Sequence, residues 1–309
     1  MNLNTVLNLF MASLRMGTPI AITALGAVVA ERSGVLNIGL EGIMLIGAFV
    51  GVLGSYFTGS PYIGILLAMM AGGFISLIHG FVCITLGGNQ PISSMAIILI
   101  GTGVSSFGLR AIFGEAGSSP AVRFLRGTPV LERTPIIGEF LSRVSPFIYV
   151  AFLLLIIIHY MLYHSPLGLR IRTVGEDPRT AETAGINVWR IRYLSVIFSG
   201  LLGGLGGAYL SLSHVNFFFE DMVAGRGFLA LGAVIMGRWT PVGAFGAAMI
   251  FGFFSALQLY FQMFSFIPPE FIQIIPYLAS VLILASFISE TQGPASTGKP
   301  YIKPGKYKI

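Results

Sequence analysis

The sequence predicts an all-α polytopic membrane protein with eight to ten transmembrane helices, and three observations carry that prediction. Only 10% of its 309 residues are charged while 55% are hydrophobic, whereas a soluble domain carries about 25% charged residues and needs them to cover its surface. Apolar runs recur at the length that a ~30 Å hydrocarbon core demands of a helix. The short, strictly alternating segments of a membrane β-barrel are absent.

The elements follow in order. Residues 3–14 are apolar but short for a span, Arg15 interrupts, and apolar character resumes over 16–30 up to Glu31-Arg32-Ser33; this is two short helices or one long, broken one. A span is expected over 35–57, with Glu41 as its only charge and Asn37 near its start. The next span, 63–86, ends at Gly87-Gly-Asn-Gln-Pro91, a strong helix break. Residues 92–113 span again and are richer in Ser, Thr and Gly. The polar connection 114–145, with three prolines, is too long for a simple turn and is expected to hold a short surface helix. Residues 147–163 and 193–212 are spans, and the second carries Gly200, Gly203, Gly204, Gly206 and Gly207. The pairs Gly200/Gly204 and Gly203/Gly207 are small-xxx-small spacings that let helix backbones approach closely. Residues 227–237, bounded by Arg226 and Arg238, are too short to cross alone. They predict a tilted helix with snorkelling arginines or a half-helix sheltered by protein. Spans over 242–267 and 270–289 follow, with Pro268-Pro269 between them. Residues 1–290 thus form one transmembrane domain, and 291–309 a flexible tail rich in Pro, Gly and Lys.

Between two of these spans lies a charged island, residues 168–192 (GLRIRTVGEDPRTAETAGINVWRIR), with five arginines, Glu176, Asp177 and Glu182. One charge at the centre of the hydrocarbon costs at least ~2.5–3.5 kcal/mol, so the island lies outside it. Residues 175–178 read as a turn into a short helix with Asp177 as N-cap and Pro178 at the first helical position. Gly185 stands where a left-handed C′ residue would end that helix. The spacing describes a built docking surface. The lysines at 299, 303, 306 and 308 and an even number of crossings between island and tail put both in the cytoplasm, and the 114–145 connection outside.

Several function classes lack their residues. No phosphate-cradling Gly-rich loop exists, since the one Gly-Lys pair, Gly298-Lys299, precedes a proline and lacks the upstream glycine. The four histidines show no metal-ligand spacing, and no G-x-S-x-G elbow is present. Neither a catalytic set, a metal site nor a cofactor is expected, and any ATP chemistry belongs to another chain. The basic residues sit in loops and tail, so the net charge of +6 reflects membrane orientation rather than nucleic acid. The one cysteine, Cys83, is read as a packing residue. Residues 1–14 lack a basic start, so no cleavable signal peptide is expected. Glu41 has two readings: a functional group on a translocation path, or a structural partner of Arg32 or another arginine. Asn37, Asn89, Gln90 and Ser93 are further path candidates, because polar breaks near helix ends line such paths.

Four stretches carry a resemblance: residues 31–49 (ERSGVLNIGLEGIMLIGAF), 168–192, 199–212 (SGLLGGLGGAYLSL) and 227–247 (GFLALGAVIMGRWTPVGAFGA). Together they resemble permease subunits of ABC uptake systems that serve branched-chain amino acids, ribose-type sugars and nucleosides, with the SGVLNIGLEG form similar to the nucleoside branch. The resemblance implies about ten transmembrane helices in a bacterial-type cytoplasmic (inner) membrane, and a cytoplasmic coupling loop over residues 165–192. It places Gly175, Glu176, Pro178, Ala181 and Gly185 at the family's motif positions in that loop, and Arg179 and Glu182 join them as ATPase-coupling candidates. The implied partners are ABC ATPase subunits, a second permease and an extracytoplasmic substrate-binding protein, and the implied cargo is a nucleoside. A simple sugar or a branched-chain amino acid is the alternative cargo. An ion-coupled secondary transporter is the alternative machinery, disfavoured because Glu41 stands nearly alone as an intramembrane acid.

Overall fold

The computed structural model describes residues 3–114, 117–125, 145–264, 272, 274, 278, 281 and 293–301. Among the described residues every regular element is a helix, and extended backbone pairs at a single isolated bridge, Ser118 with Phe219. The helices are α1 (Leu3–Arg32), α2 (Leu40–Thr58), α3 (Pro61–Gly80, closed by a π-helical turn, Phe81–Thr85), α4 (Gln90–Phe113), α5 (Pro146–His164), α6 (Pro166–Glu176), α7 (Pro178–Thr183), α8 (Val188–Tyr209, closed by a π-helical turn, Leu210–His214), α9 (Arg226–Met236) and α10 (Pro241–Phe264). Seven of these are long and apolar enough to cross a membrane, with α9 as a shorter apolar helix. Most of the expected span over 270–289, most of the 114–145 connection, where a surface helix is expected, and the tail beyond residue 301 lie outside the described residues.

Helix α8 is the mast. Helices α1, α2 and α3 pack along it, and the apolar windows of α1, α2 and α8 are mostly buried, whereas only a minority of residues is buried in those of α3, α4, α5 and α10. The glycines of α8 explain how three helices fit around one. A Cβ at Gly204 would strike the carbonyl of Ala68 on α3, one at Gly207 the carbonyl of Met44 on α2, and one at Gly206 the Thr23 hydroxyl on α1. Gly200 meets Gly72 and Ser76 of α3, and Gly203 lies against Ile43 of α2. The five glycines therefore mark three faces of α8: Gly200 and Gly204 toward α3, Gly203 and Gly207 toward α2, and Gly206 toward α1.

Register follows from these contacts. Helix α1 runs antiparallel to α8: Gly26 meets Ser199 and Leu202, Gly206 meets Pro19 and Thr23, and Tyr209 Oη donates to the Arg15 carbonyl at 2.9 Å. Helix α2 runs parallel to α8, with Ile43 at Gly203 and Met44 at Gly207, and with Ser211 Oγ donating to the Ala48 carbonyl at 2.8 Å. The first turn of α2 is thus level with Gly203, ~16 Å along the axis from Arg192 at 1.5 Å per residue. Residues 33–39 are not helical; they climb from the end of α1 into the body of the protein before α2 begins.

Three sequence expectations are refined here. The run over 35–57 holds one helix, but it starts at Leu40, five residues later. The two-or-one question at the N-terminus resolves into one 30-residue helix with Pro19 inside it. Gly175 and Glu176 close α6 rather than forming a turn, so Asp177 alone separates α6 from α7.

Candidate functional site

Helix α9 has 11 residues, ~16 Å of rise against a hydrocarbon thickness of ~30 Å, so it is a half-crossing. Its two ends are clamped by charges of opposite sign. At the N-terminus, the Glu41 carboxylate accepts from Gly225 N through Oε1 and from Gly227 N through Oε2, both at 2.7 Å. At the C-terminal side, Arg32 donates to the carbonyls of Trp239 (2.7 Å) and Arg238 (3.3 Å). Glu31 accepts from Trp239 Nε1 at 2.5 Å. An anion at a helix N-terminus and a cation at its C-terminus complement the macrodipole, and both satisfy backbone groups that the helix leaves open. Glu41 and Arg32 therefore do not pair with each other; they hold opposite ends of one half-helix. The flanking backbone is constrained, with positive φ at Asp221, Ala224, Arg238 and Trp239, a conformation that costs energy for residues with a Cβ and persists where neighbours hold it.

The non-helical residues 33–39 raise a backbone accounting problem, because buried amides require acceptors. The polar break after α3 supplies them. Gln90 Oε1 accepts from Leu36 N at 2.7 Å and Ser94 Oγ from Ile38 N at 3.1 Å. Asn37 Oδ1 accepts from Gly39 N at 3.1 Å. His79 reaches the Leu36 carbonyl through Nε2 (3.1 Å) and Ser93 Oγ through Nδ1 (3.0 Å). Asn37 and Gln90 are each 1% exposed, yet among the described residues Asn37 Nδ2 and Gln90 Nε2 have no hydrogen-bond partner. They are two buried donors with nothing to donate to. Asn89 sits apart from this cluster: exposed, it caps α4 by accepting from Ile92 N at 3.0 Å.

The charged island folds as α6, α7 and the start of α8. Asp177 caps α7 by accepting from Arg179 N (2.9 Å), Thr180 N (3.2 Å) and the Thr180 hydroxyl (2.6 Å). The Thr180 hydroxyl bond, followed by those amides, holds the Asp177 carboxyl below the usual carboxylate range. Pro178 opens α7, Ala181 is fully buried beneath it, and Gly185 follows it at φ 81°. Arg179 is exposed on its outer face. Gly175 packs against the Arg32 carbonyl so closely that a Cβ there would collide with it, which places the end of α6 on the end of α1.

Sequence reasoning missed two participants. Arg192 is completely buried, and residues 293–301 fold over it onto the island. Ser296 N and Oγ both donate to the Gly175 carbonyl (3.0 and 2.6 Å), Ala295 N donates to Glu176 at 3.4 Å, and Tyr301 Oη donates to Glu182. Proline, glycine and lysine content predicts a free tail and says nothing about such tertiary bonds. Of the three consecutive aromatics Phe217, Phe218 and Phe219, Phe218 is buried against Phe49 with ring centroids 5.3 Å apart.

Among the described residues no three His, Cys, Asp or Glu side chains gather as metal ligands would.

Residues 9–288 match the family described as branched-chain amino acid transport system, permease component. The chain is 40% identical over 304 residues to the guanosine ABC transporter permease protein NupQ of Bacillus subtilis, covering 94% of this chain and 95% of that one. It is 33% identical over 316 residues to the nucleoside ABC transporter permease protein NupC of Lactococcus lactis, covering 98% and 99%. A glucose ABC transporter permease protein of Haloferax volcanii is 23% identical over 291 residues, covering 87% and 74%. Among solved structures, a chain of an ABC transporter in an inward-facing conformation superposes with a TM-score of 0.50 at 16% identity, covering 91% of this chain and 85% of that one. That likeness bears on the fold.

Proposed function

The chain belongs to the permease components of branched-chain amino acid transport systems, and from that membership we propose that it is the membrane subunit through which an ATP-driven importer passes a nucleoside. As an ABC permease it is a transport component and not an enzyme. The observation that carries the nucleoside reading is the near full-length identity to guanosine and nucleoside permeases, at 40% and 33%.

The geometry supports a division of labour. The α6–α7 face, with Gly175, Glu176, Pro178, Arg179, Ala181, Glu182 and Gly185, receives the ATPase subunits on the cytoplasmic side of the inner membrane. Charge complementarity there sets register and partner choice. The unpartnered amide donors of Asn37 and Gln90, beside Ser93, line the path and match the carbonyl, ring-nitrogen and hydroxyl acceptors of a nucleoside. Glu41 and Asn89 act through helix ends instead. A second permease subunit completes the pathway, and a substrate-binding protein delivers cargo to the opposite face, where residues 117–125 run against 212–220.

The test is uptake by the complex in proteoliposomes, with its ATPase and binding protein, in competition among guanosine, glucose and leucine. ATP-dependent guanosine uptake that glucose and leucine leave unaffected is expected. Preferred uptake of glucose would move the assignment to a sugar importer, the reading favoured by the Haloferax relative. Uptake that persists without ATP would overturn the ATP-driven reading altogether.

A further inference from the structure

We propose that residues 293–301 are a tie that carries movement of α7 to α1 and α8 during transport, with Tyr301 as the positioning residue at its α7 end; this rests on the permease reading above. The tie is held at both ends. At one, the Tyr301 hydroxyl donates to Glu182 of α7. Burial, then the Glu182 carboxylate, pushes that phenol up to about 12, so it stays a donor at every physiological pH. At the other end, Ser296 donates to the Gly175 carbonyl and accepts from Arg192 Nη2 at 3.2 Å. Thr297 Oγ1 donates to the Glu31 carbonyl at 3.4 Å. Glu31 and Arg32 are the residues that grip the Arg238–Trp239 turn after α9. A displacement of α7 thus has a bonded route, back along the chain from Tyr301 to Thr297 and Ser296, to the clamp on the half-helix.

Arg192 explains why such a tie would move rather than be fixed. Its guanidinium is buried, and its hydrogen bonds are to neutral acceptors of the tie: the Ser296 hydroxyl and the Lys299 carbonyl at 3.3 Å. Its Nε has no partner, and no carboxylate among the described residues forms an ion pair with it. A buried charge compensated only by neutral groups is expensive to keep dry. Docking of the tie is therefore opposed by the hydration Arg192 would regain on release, and a segment so balanced opens and closes readily. Gly34 fits the same picture: a Cβ there would collide with Ser296 Oγ and sit 2.8 Å from Arg192 Nη2.

The experiment is the coupling ratio, uptake per ATP hydrolysed, of the reconstituted complex carrying Tyr301→Phe. Loss of one hydrogen bond to a charged acceptor predicts a ratio lowered about tenfold, with ATP hydrolysis within about twofold of wild type. An unchanged ratio, or hydrolysis and uptake falling in parallel, would overturn the proposal. If Tyr301→Phe fails to assemble, Ser296→Ala carries the same test at the other end of the tie. Failure of the permease reading itself would show separately, as absence of ATP-driven uptake in the wild type.

Discussion

Alanine at position 41 is expected to reduce uptake to background and to destabilise the permease by about 3–5 kcal/mol. Removing the carboxylate leaves Gly225 N and Gly227 N, each now bonded at 2.7 Å, without acceptors inside the protein. Each such orphan costs ~1–3 kcal/mol, and the α9 N-terminus loses a favourable anion as well. Glu41→Gln keeps one acceptor oxygen and should fall between alanine and wild type. Thermal unfolding of the purified permease, measured beside uptake, checks the claim. Wild-type stability in Glu41→Ala with altered cargo selectivity would show that Glu41 faces the path and not α9.

Leucine at Gly204 is expected to prevent accumulation of folded protein. Its Cβ would collide with the Ala68 carbonyl oxygen and lie 3.0 Å from the carbonyl carbon. Gly47 stands opposite, where a Cβ would lie 2.6 Å from the Cα of Gly204. Overpacking of this kind costs ~1–3 kcal/mol where side chains can yield, and more here because the atoms struck are backbone. Gly103→Leu is the control, since nothing lies within 4 Å of that added atom. Membrane yield and size-exclusion profiles of the two variants should separate sharply. Equal behaviour would mean that α3 and α2 do not pack on α8 as described.

These two residues show what was legible in the chain and what was not. The glycine spacing in 199–207 announced close helix contact, because only backbone-to-backbone approach requires it. It could not say that Gly204 faces α3 while Gly207 faces α2, since that depends on the rotation of α8. Asp177, Pro178 and Gly185 could be read in detail because helix capping is local chemistry: each acts on amides within a few residues of itself. Glu41 was visible as an intramembrane acid, but its partners lie at Gly225 and Gly227, far along the sequence. Gln90 was similarly legible as part of a polar break, whereas its service to the amide of Leu36, and that of Ser94 to the amide of Ile38, needed the fold. Tertiary partnerships without periodicity leave no local signal.

Everything functional here turns on α7 being the surface on which an ATPase acts. The most direct measurement is photo-crosslinking from an exposed α7 position, Thr183, in native membranes, followed by identification of the adduct. A crosslink to an ATPase subunit, strengthened or weakened by nucleotide, is the predicted result. Recovery of no ATPase, or labelling of that position by a membrane-impermeant reagent applied from outside the cell, would contradict it.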